Sequence, residues 1–244
     1  MKTIAVIPAR YQSKRFPGKP LAMIAGKPMI QHVHERALSC PDLSDIFVAT
    51  DDERIFQCVN DFAGKAIMTQ KEHPSGTDRV AEAAQKMDLQ KDDLIVNIQG
   101  DQPLFEPIAI SQLLAPLFKD KDIHMSTLKY RIEDEKELIN PNNVKVVTDR
   151  EGFALFFSRH PIPFYRDSVS PTLHYKHLGL YGYRMDSLIR FGHLPVGELE
   201  SAERLEQLRA LEYGFRIKVI ETLFNSIEVD SPEDIKEVEK MMIG

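Results

Sequence analysis

The chain has 244 residues, 31 of them basic and 37 acidic, a net charge of -6, with 43% hydrophobic and 28% charged residues. This length and composition allow one large soluble domain with a sizeable core, and the acidic balance argues against broad nucleic-acid binding, which needs an extended basic surface. Two cysteines, Cys40 and Cys58, are too few for a disulfide scaffold and lack zinc spacing, and no leader-like segment or membrane-length apolar run is visible. The expectation is a cytoplasmic protein with no membrane or nucleic-acid partner.

Taken in chain order, TIAVI (3–7) is a continuous apolar run, as in a strand covered on both faces. The basic loop PARYQSKRFPGKP (8–20) follows. Residues 1–34 contain Lys2, Arg10, Lys14, Arg15, Lys19 and Lys27 and no acidic residue, a local asymmetry that asks for an anionic partner. PMIQHVHERALS reads as a helix, DIFVATDD as a buried strand ending in carboxylates and ERIFQCVNDFAG as a helix. AIMT is a strand, SGTDRVAEAAQKM a helix with a polar start, DLIVNIQGDQP a strand running into a turn and IAISQLLAPLF a helix. Both cysteines fall in apparent helices, as buried thiols. Strict alternation of strand and helix predicts right-handed crossovers and a mostly parallel sheet with helices on both faces.

HMSTLKYRI, NNVKVVTD, EGFALFFS and HYKHLGLYGYR then read as a run of strands, which suggests an antiparallel lobe within about 123–190 of a single domain. SAERLEQLRALEYG reads as one amphipathic helix, RIKVIET as a strand, IEVD as a short strand and SPEDIKEVEKMM as a final helix, with Ser231 and Asp234 spaced like a capping box.

In sheets of this kind ligands sit beyond the carboxyl ends of the strands. Those ends supply Pro8-Ala9-Arg10, Thr50-Asp51-Asp52, Gln99-Gly100-Asp101-Gln102 and Val229-Asp230. The opening loop matches neither the G-x-x-x-x-G-K-[ST] nor the G-x-G-x-x-G pattern. It still combines Gly18 with four cations after a buried strand, which suits a polyphosphate; the plainer alternative is a solvated loop. Asp101 and Asp230 could hold Mg²⁺, a hard cation satisfied by one or two carboxylates plus phosphate oxygens, or could be turn formers. Arg159, His177, Tyr181 and Tyr183 are polar groups amid apolar strands, and Arg159 could fork onto a substrate carboxylate. His160, His174 and His193 read as surface residues, and Glu206 and Gln207 fit an exposed helix face.

PARYQSKRFPGKPL, HPSGTDR (73–79), NIQGDQP, NNVKVV, FSRHPIP, YKHLGLYGY, LEQLRALEYG and VDSPED occur in an order that resembles the CMP-Kdo synthetases, or 3-deoxy-manno-octulosonate cytidylyltransferases, over residues 3 to about 240. The opening loop is similar also to that of N-acylneuraminate cytidylyltransferases. The resemblance implies transfer of CMP from CTP to the anomeric hydroxyl of an acidic eight-carbon sugar, with release of pyrophosphate and use of Mg²⁺. It places Ala9, Arg10, Ser13, Arg15, Lys19, Arg79 and Gln99 at the nucleotide, and Asp101 and Asp230 at the metal. Arg10, Gln99, Arg159, His177, Tyr181 and Glu206 fall at the sugar, and Arg10, Lys19, Asp101 and Asp230 are the implied catalytic set. It also implies a nucleotide-binding-type sheet with a smaller lobe used in a homodimer. Gln102, Asp78 and NSIEVDS depart from the family's usual Glu, Glu and Gly-containing segment, which resembles a branch acting on 8-amino-8-deoxy-Kdo. The rival readings are an N-acylneuraminate cytidylyltransferase, a sugar-1-phosphate nucleotidylyltransferase, which normally shows a more Gly-rich opening loop, and a non-catalytic nucleotide-binding module, which would not need paired metal carboxylates.

Overall fold

A computed structural model describes residues 1–12, 16–73, 75–166 and 173–243. Strand β1 (Thr3–Ala9) is covered on both faces: Ala5, Ile7 and Ala9 enter one core and Ile4 and Val6 enter another. This is the packing that a continuous apolar strand predicts. After the basic loop comes a two-residue hairpin, β2 (Met23–Ile24) and β3 (Lys27–Pro28), turned by Ala25 and Gly26, both at positive φ. Helix α1 (Met29–Leu38), β4 (Asp45–Thr50), α2 (Glu53–Asp61), β5 (Lys65–Met68), α3 (Gly76–Gln85), β6 (Leu94–Asn97) and α4 (Pro107–Lys119) then alternate as expected. β1 pairs in parallel with β4 and β6, and β4 with β5, so these strands end along one edge.

The second half comprises β7 (Met125–Ile132), α5 (Glu135–Ile139), β8 (Lys145–Thr148), β9 (Ala154–Ser158), β10 (His174–Arg184), α6 (Met185–Gly192), α7 (Glu198–Glu203), α8 (Glu206–Glu212), β11 (Ile217–Thr222) and α9 (Pro232–Ile243). The main sheet runs β11-β7-β10-β6-β1-β4-β5, with β10 antiparallel to both β6 and β7. Helices α1, α2 and α4 cover one face, and α3, α6 and α8 the other. A third cluster joins Ile24, Met29 and Val229 to Val238 of α9, so the C-terminal helix packs beneath the N-terminal hairpin. Among the described residues, no helix is long and apolar enough to cross a membrane.

Several local expectations change. Within 123–190, β7 and β10 belong to the main sheet, and only β8 and β9 lie off its path, as an antiparallel extension of β10. The helix expected over 201–214 is two helices, broken at Arg204 in the left-handed region (φ 55). The Arg159 guanidinium takes the carbonyls of Glu203 and Arg204, which a continuing helix would need for its own ladder. IEVD makes no strand; Val229 donates one backbone bond to Asp101 O at 2.9 Å. Cys40 lies just past the end of α1. His174 is buried rather than on the surface, bonded at Nε2 to Pro163 O (3.1 Å) and packed edge-on against Tyr165.

Candidate active site

A cleft of about 890 Å³ opens beyond the carboxyl ends of β1, β4 and β6. Ala9, Arg10, Lys19, Arg79, Gln99, Asp101 and Asp230 all line it. Ser13 and Arg15 lie outside the described residues.

The opening loop is folded onto its own start. Gly18 donates to Tyr11 O (2.8 Å) and adopts φ 74, and a Cβ there would stand 3.1 Å from the Tyr11 ring. Glycine therefore meets two demands at once, a left-handed turn and close approach of the ring. The Arg54 guanidinium lies over the Tyr11 ring, 3.3 Å from its centroid, and Asp52 grips that guanidinium through both carboxylate oxygens. Arg54 and Tyr11 both line the cleft and were missed from sequence. The available signal was ATDDER, an arginine two residues past a carboxylate-rich strand end.

Arg79 enters the cleft from α3. Ser75 caps this helix with a full capping box in which Asp78 takes the usual place of Glu or Gln. The departure at Asp78 is thus absorbed by helix capping. Arg79 is 4% exposed; it pairs with Asp51 at 3.1 Å and donates to the Thr69 hydroxyl and to Gln70 O. A buried guanidinium needs this neutralisation.

On the opposite wall, Lys19 Nζ lies 2.7 Å from Asp101 Oδ2, 3.6 Å from Asp230 Oδ1 and 2.9 Å from Val229 O. The two aspartates come from distant segments that are tied together. Val229 N–H binds Asp101 O, and the Asp234 carboxylate accepts from the amides of Asp230 (2.8 Å) and Ser231 (2.7 Å). Gln102, 1% exposed, donates from Nε2 to Glu228 Oε1 at 3.0 Å. Glu228 keeps solvent access, yet the protein around its carboxyl, then Asp101 and Asp230, outweigh Gln102 and Lys19 and push its pKa up to about 7. Sequence reading marked both departures but not that they touch.

The residues implied at the sugar fall into two groups. Gln99 is in the cleft and donates to Gly179 O (3.2 Å), which a bulge between Leu178 and Tyr181 carries out of the β10 ladder. His177, Tyr181 and Glu206 form a connected polar group behind the start of α3. Rings of His177 and Tyr181 are 5.2 Å apart, those of Tyr181 and Tyr183 5.8 Å apart, and Thr77 donates to Glu206 Oε1. Burial raises the Glu206 carboxyl above its ordinary value, and its Oε2 is shielded without a hydrogen-bond partner, as is Asn97 Oδ1 nearby. Burial also holds the His177 imidazole down to about 3, so it is neutral. The Thr127 hydroxyl donates to Leu180 O (2.8 Å) and so accepts from His177 Nε2, 2.8 Å away, which puts the ring proton on Nε2. Like His177, Tyr181 and Glu206, Arg159 does not line the cleft. Its Nε, Nη1 and Nη2 donate to the carbonyls of Glu203 (2.7 Å), Pro141 (2.9 Å) and Arg204 (3.3 Å).

A strand-edge cleft with Arg10, Lys19, Arg54 and Arg79 facing two convergent carboxylates belongs to an enzyme that handles a nucleoside triphosphate. The sequence model of the cytidylyltransferase family matches residues 4–222, and the chain belongs to that family. It is 54% identical over 243 residues, covering 100% of this chain and 98% of its relative, to a 3-deoxy-manno-octulosonate cytidylyltransferase of Syntrophus aciditrophicus (strain SB). It is 52% identical over 240 residues, 98% of this chain and 94% of the relative, to a protein of the same name from Solibacter usitatus (strain Ellin6076). A solved structure of CMP:2-keto-3-deoxy-manno-octonic acid synthetase complexed with CTP matches with a TM-score of 0.94 at 43% identity, over 100% of this chain and 99% of that one. A 4-diphosphocytidyl-2C-methyl-D-erythritol synthase from Anaerococcus prevotii shares the fold, with a TM-score of 0.63 at 13% identity over 100% of this chain and 97% of that one.

Proposed function

We propose that this enzyme transfers CMP from CTP to the anomeric hydroxyl of 3-deoxy-manno-octulosonate and releases pyrophosphate, in the cytoplasm, making an activated sugar for lipopolysaccharide synthesis. The observation that carries the reading is the gathering of Arg10, Lys19 and Arg79 with Asp101 and Asp230 around one cleft, with Lys19 paired to both aspartates. In the reaction the sugar oxygen bonds to the α-phosphorus as the bond from that phosphorus to pyrophosphate breaks. Arg10, Lys19 and Arg79 orient the triphosphate and stabilise the charge that grows on the leaving pyrophosphate.

Asp101 and Asp230 fit a magnesium ion. Both are hard oxygen donors, partly accessible (28% and 34%), and both already converge on one cation, the Lys19 ammonium. Among the described residues no group of three or more His, Cys, Asp or Glu could hold a metal, so the remaining ligands would be phosphate oxygens and water. When bound, the ion supplies Lewis-acid charge stabilisation and lowers the pKa of a coordinated hydroxyl. No side chain is therefore assigned as general base. Gln99, Tyr181, neutral His177 and Glu206 would offer hydrogen bonds to the sugar.

The contact between Gln102 and Glu228 favours a second reading of the sugar. It adds a carboxylate beside the aspartates where the chain departs from its family, and that suits a sugar bearing an ammonium, such as 8-amino-8-deoxy-Kdo. Pyrophosphate release with CTP and Mg²⁺, compared among Kdo, 8-amino-8-deoxy-Kdo and N-acetylneuraminate, tests both. Release with N-acetylneuraminate alone would overturn the assignment, and a higher kcat/KM for Kdo than for the amino sugar would remove the second reading only. We also infer a homodimer through the strand-rich region, where Leu155 (61%) and Phe164 (85%) are exposed; light scattering on the full chain gives the mass that decides it.

A further inference from the structure

Lys19 sits where a cation held by the two aspartates would sit. Its ammonium contacts Asp101 Oδ2 (2.7 Å), Asp230 Oδ1 (3.6 Å) and Val229 O (2.9 Å), three oxygens from two separate segments. Its side chain is 15% exposed, less than either carboxylate. Glu228, bound to the adjacent Gln102, places a further carboxyl nearby. A divalent ion entering between Asp101 and Asp230 while the ammonium stayed would stand within a few ångströms of a like charge, a repulsion weakly screened at a partly buried site. The lysine stem has four rotatable bonds, so the ammonium can change partner with no change of fold.

We infer that Lys19 is a resident cation that excludes the divalent ion from the nucleotide-free enzyme. The triphosphate then draws the ammonium off the aspartates, so that metal and nucleotide bind as a coupled pair. The inference rests on the proposed nucleotide and metal site but not on the identity of the sugar. It gives Lys19 two successive anionic partners, carboxylates first and phosphate oxygens second. Such coupling is reciprocal: whatever the ammonium costs the metal in the absence of triphosphate, it contributes to triphosphate binding once the metal is present.

The test is Mn²⁺ binding to the full chain without nucleotide or sugar, read from the electron paramagnetic resonance signal of free Mn²⁺. Lys19→Met keeps the aliphatic stem and removes the charge. It should bind Mn²⁺ alone about 10-fold more tightly than the wild type, a factor within the usual range for coupled ligands, and metal-free CTP more weakly. Adding Asp101→Asn to Lys19→Met should abolish the gain. Lys19→Met binding Mn²⁺ no better than wild type, or a gain that survives Asp101→Asn, overturns the inference. Removing the ammonium leaves like charges facing each other, so circular dichroism is checked first, and Lys19→Gln replaces Lys19→Met should the latter not fold. The wild type supplies an independent reading: its Mn²⁺ affinity should rise about 10-fold in saturating inorganic triphosphate beyond the contribution of the Mn²⁺–triphosphate complex, and no rise overturns the inference. Failure to turn over any octulosonate would refute the proposed sugar while leaving these metal measurements intact.

Discussion

His177 offers the sharpest link between burial, charge and stability. Its ring packs edge-on against Phe157 (centroids 5.1 Å apart) and bonds to Thr127, and burial lowers its pKa from 6.5 to about 3. The folded form is therefore stabilised by the neutral ring. The unfolded chain takes up a proton near pH 6.5 that the folded chain refuses until about pH 3. The stabilisation is complete above pH 6.5 and is lost as the pH falls, at up to about 1.4 kcal/mol per pH unit. Between pH 7.5 and pH 5.0 the loss traceable to His177 is about 1.5 units times this slope, or about 2 kcal/mol. His177→Gln keeps an amide donor for Thr127 and cannot titrate. Urea unfolding of both proteins at the two pH values cancels the common contributions of the other histidines and carboxylates. The wild type should lose about 2 kcal/mol more than His177→Gln over this interval. Parallel losses, with a difference below about 0.5 kcal/mol, would refute the burial argument. They would also reopen a charged role for this ring, since a neutral imidazole offers the sugar acid only a hydrogen bond.

Asp101→Asn and Asp230→Asn should each raise the Mg²⁺ concentration needed for half-maximal pyrophosphate release and lower turnover by about 10²-fold or more; wild-type Mg²⁺ dependence in both variants would place the metal elsewhere. Arg159→Ala should lower the unfolding free energy by about 1–3 kcal/mol, because three carbonyls lose a charged donor, and should raise the sugar KM through displacement of the Glu206 segment while leaving CTP binding unchanged. An unchanged urea midpoint would show that these hydrogen bonds carry nothing. Gly182→Ala would place a Cβ 2.7 Å from Ser126 Oγ and 2.9 Å from Leu117 Cδ1. Overpacking of this kind costs about 1–3 kcal/mol, read as a lower urea midpoint.

The alternating half of the chain was legible because its central strands β1 and β6 are covered on both faces and its helices bury apolar faces, as Ala5, Ile7 and Val6 of β1 illustrate. Residues at the strand ends were legible for the same reason: once β1 and β6 are parallel neighbours, Arg10 and Asp101 must share an edge. What stayed hidden depends on contacts between distant segments. The break at Arg204 is set by a guanidinium 45 residues earlier, which helical periodicity cannot register. Arg159 looked like a carboxylate ligand because its residue type and neighbours fit one, yet its donors are already committed to backbone oxygens. Arg54 was overlooked because a charged residue in the first turn of an amphipathic helix usually faces water, and its hold on Asp52 and the Tyr11 ring beside the cleft comes from the fold.

The carboxylate wall shows how the proposed metal site would be assembled from distant parts of the chain. Asp101 and Asp230 repel each other and Glu228, so their segments need fixed neutral contacts to stay together. The fold supplies them in backbone groups. Val229 donates to Asp101 O and its own carbonyl accepts from Lys19, while Asp234 clamps the amides of Asp230 and Ser231 at the start of α9. Helix α9 is in turn anchored by Val238 against Ile24 and Met29 beneath the hairpin that follows the basic loop. The N-terminal loop bearing the ammonium and the C-terminal segment bearing one carboxylate thus share a single apolar footing. Loosening that footing, by truncating Val238 for example, would separate Lys19 from Asp230 before it disturbed the main sheet. Metal affinity in the presence of triphosphate would then fall at urea concentrations that leave the sheet folded.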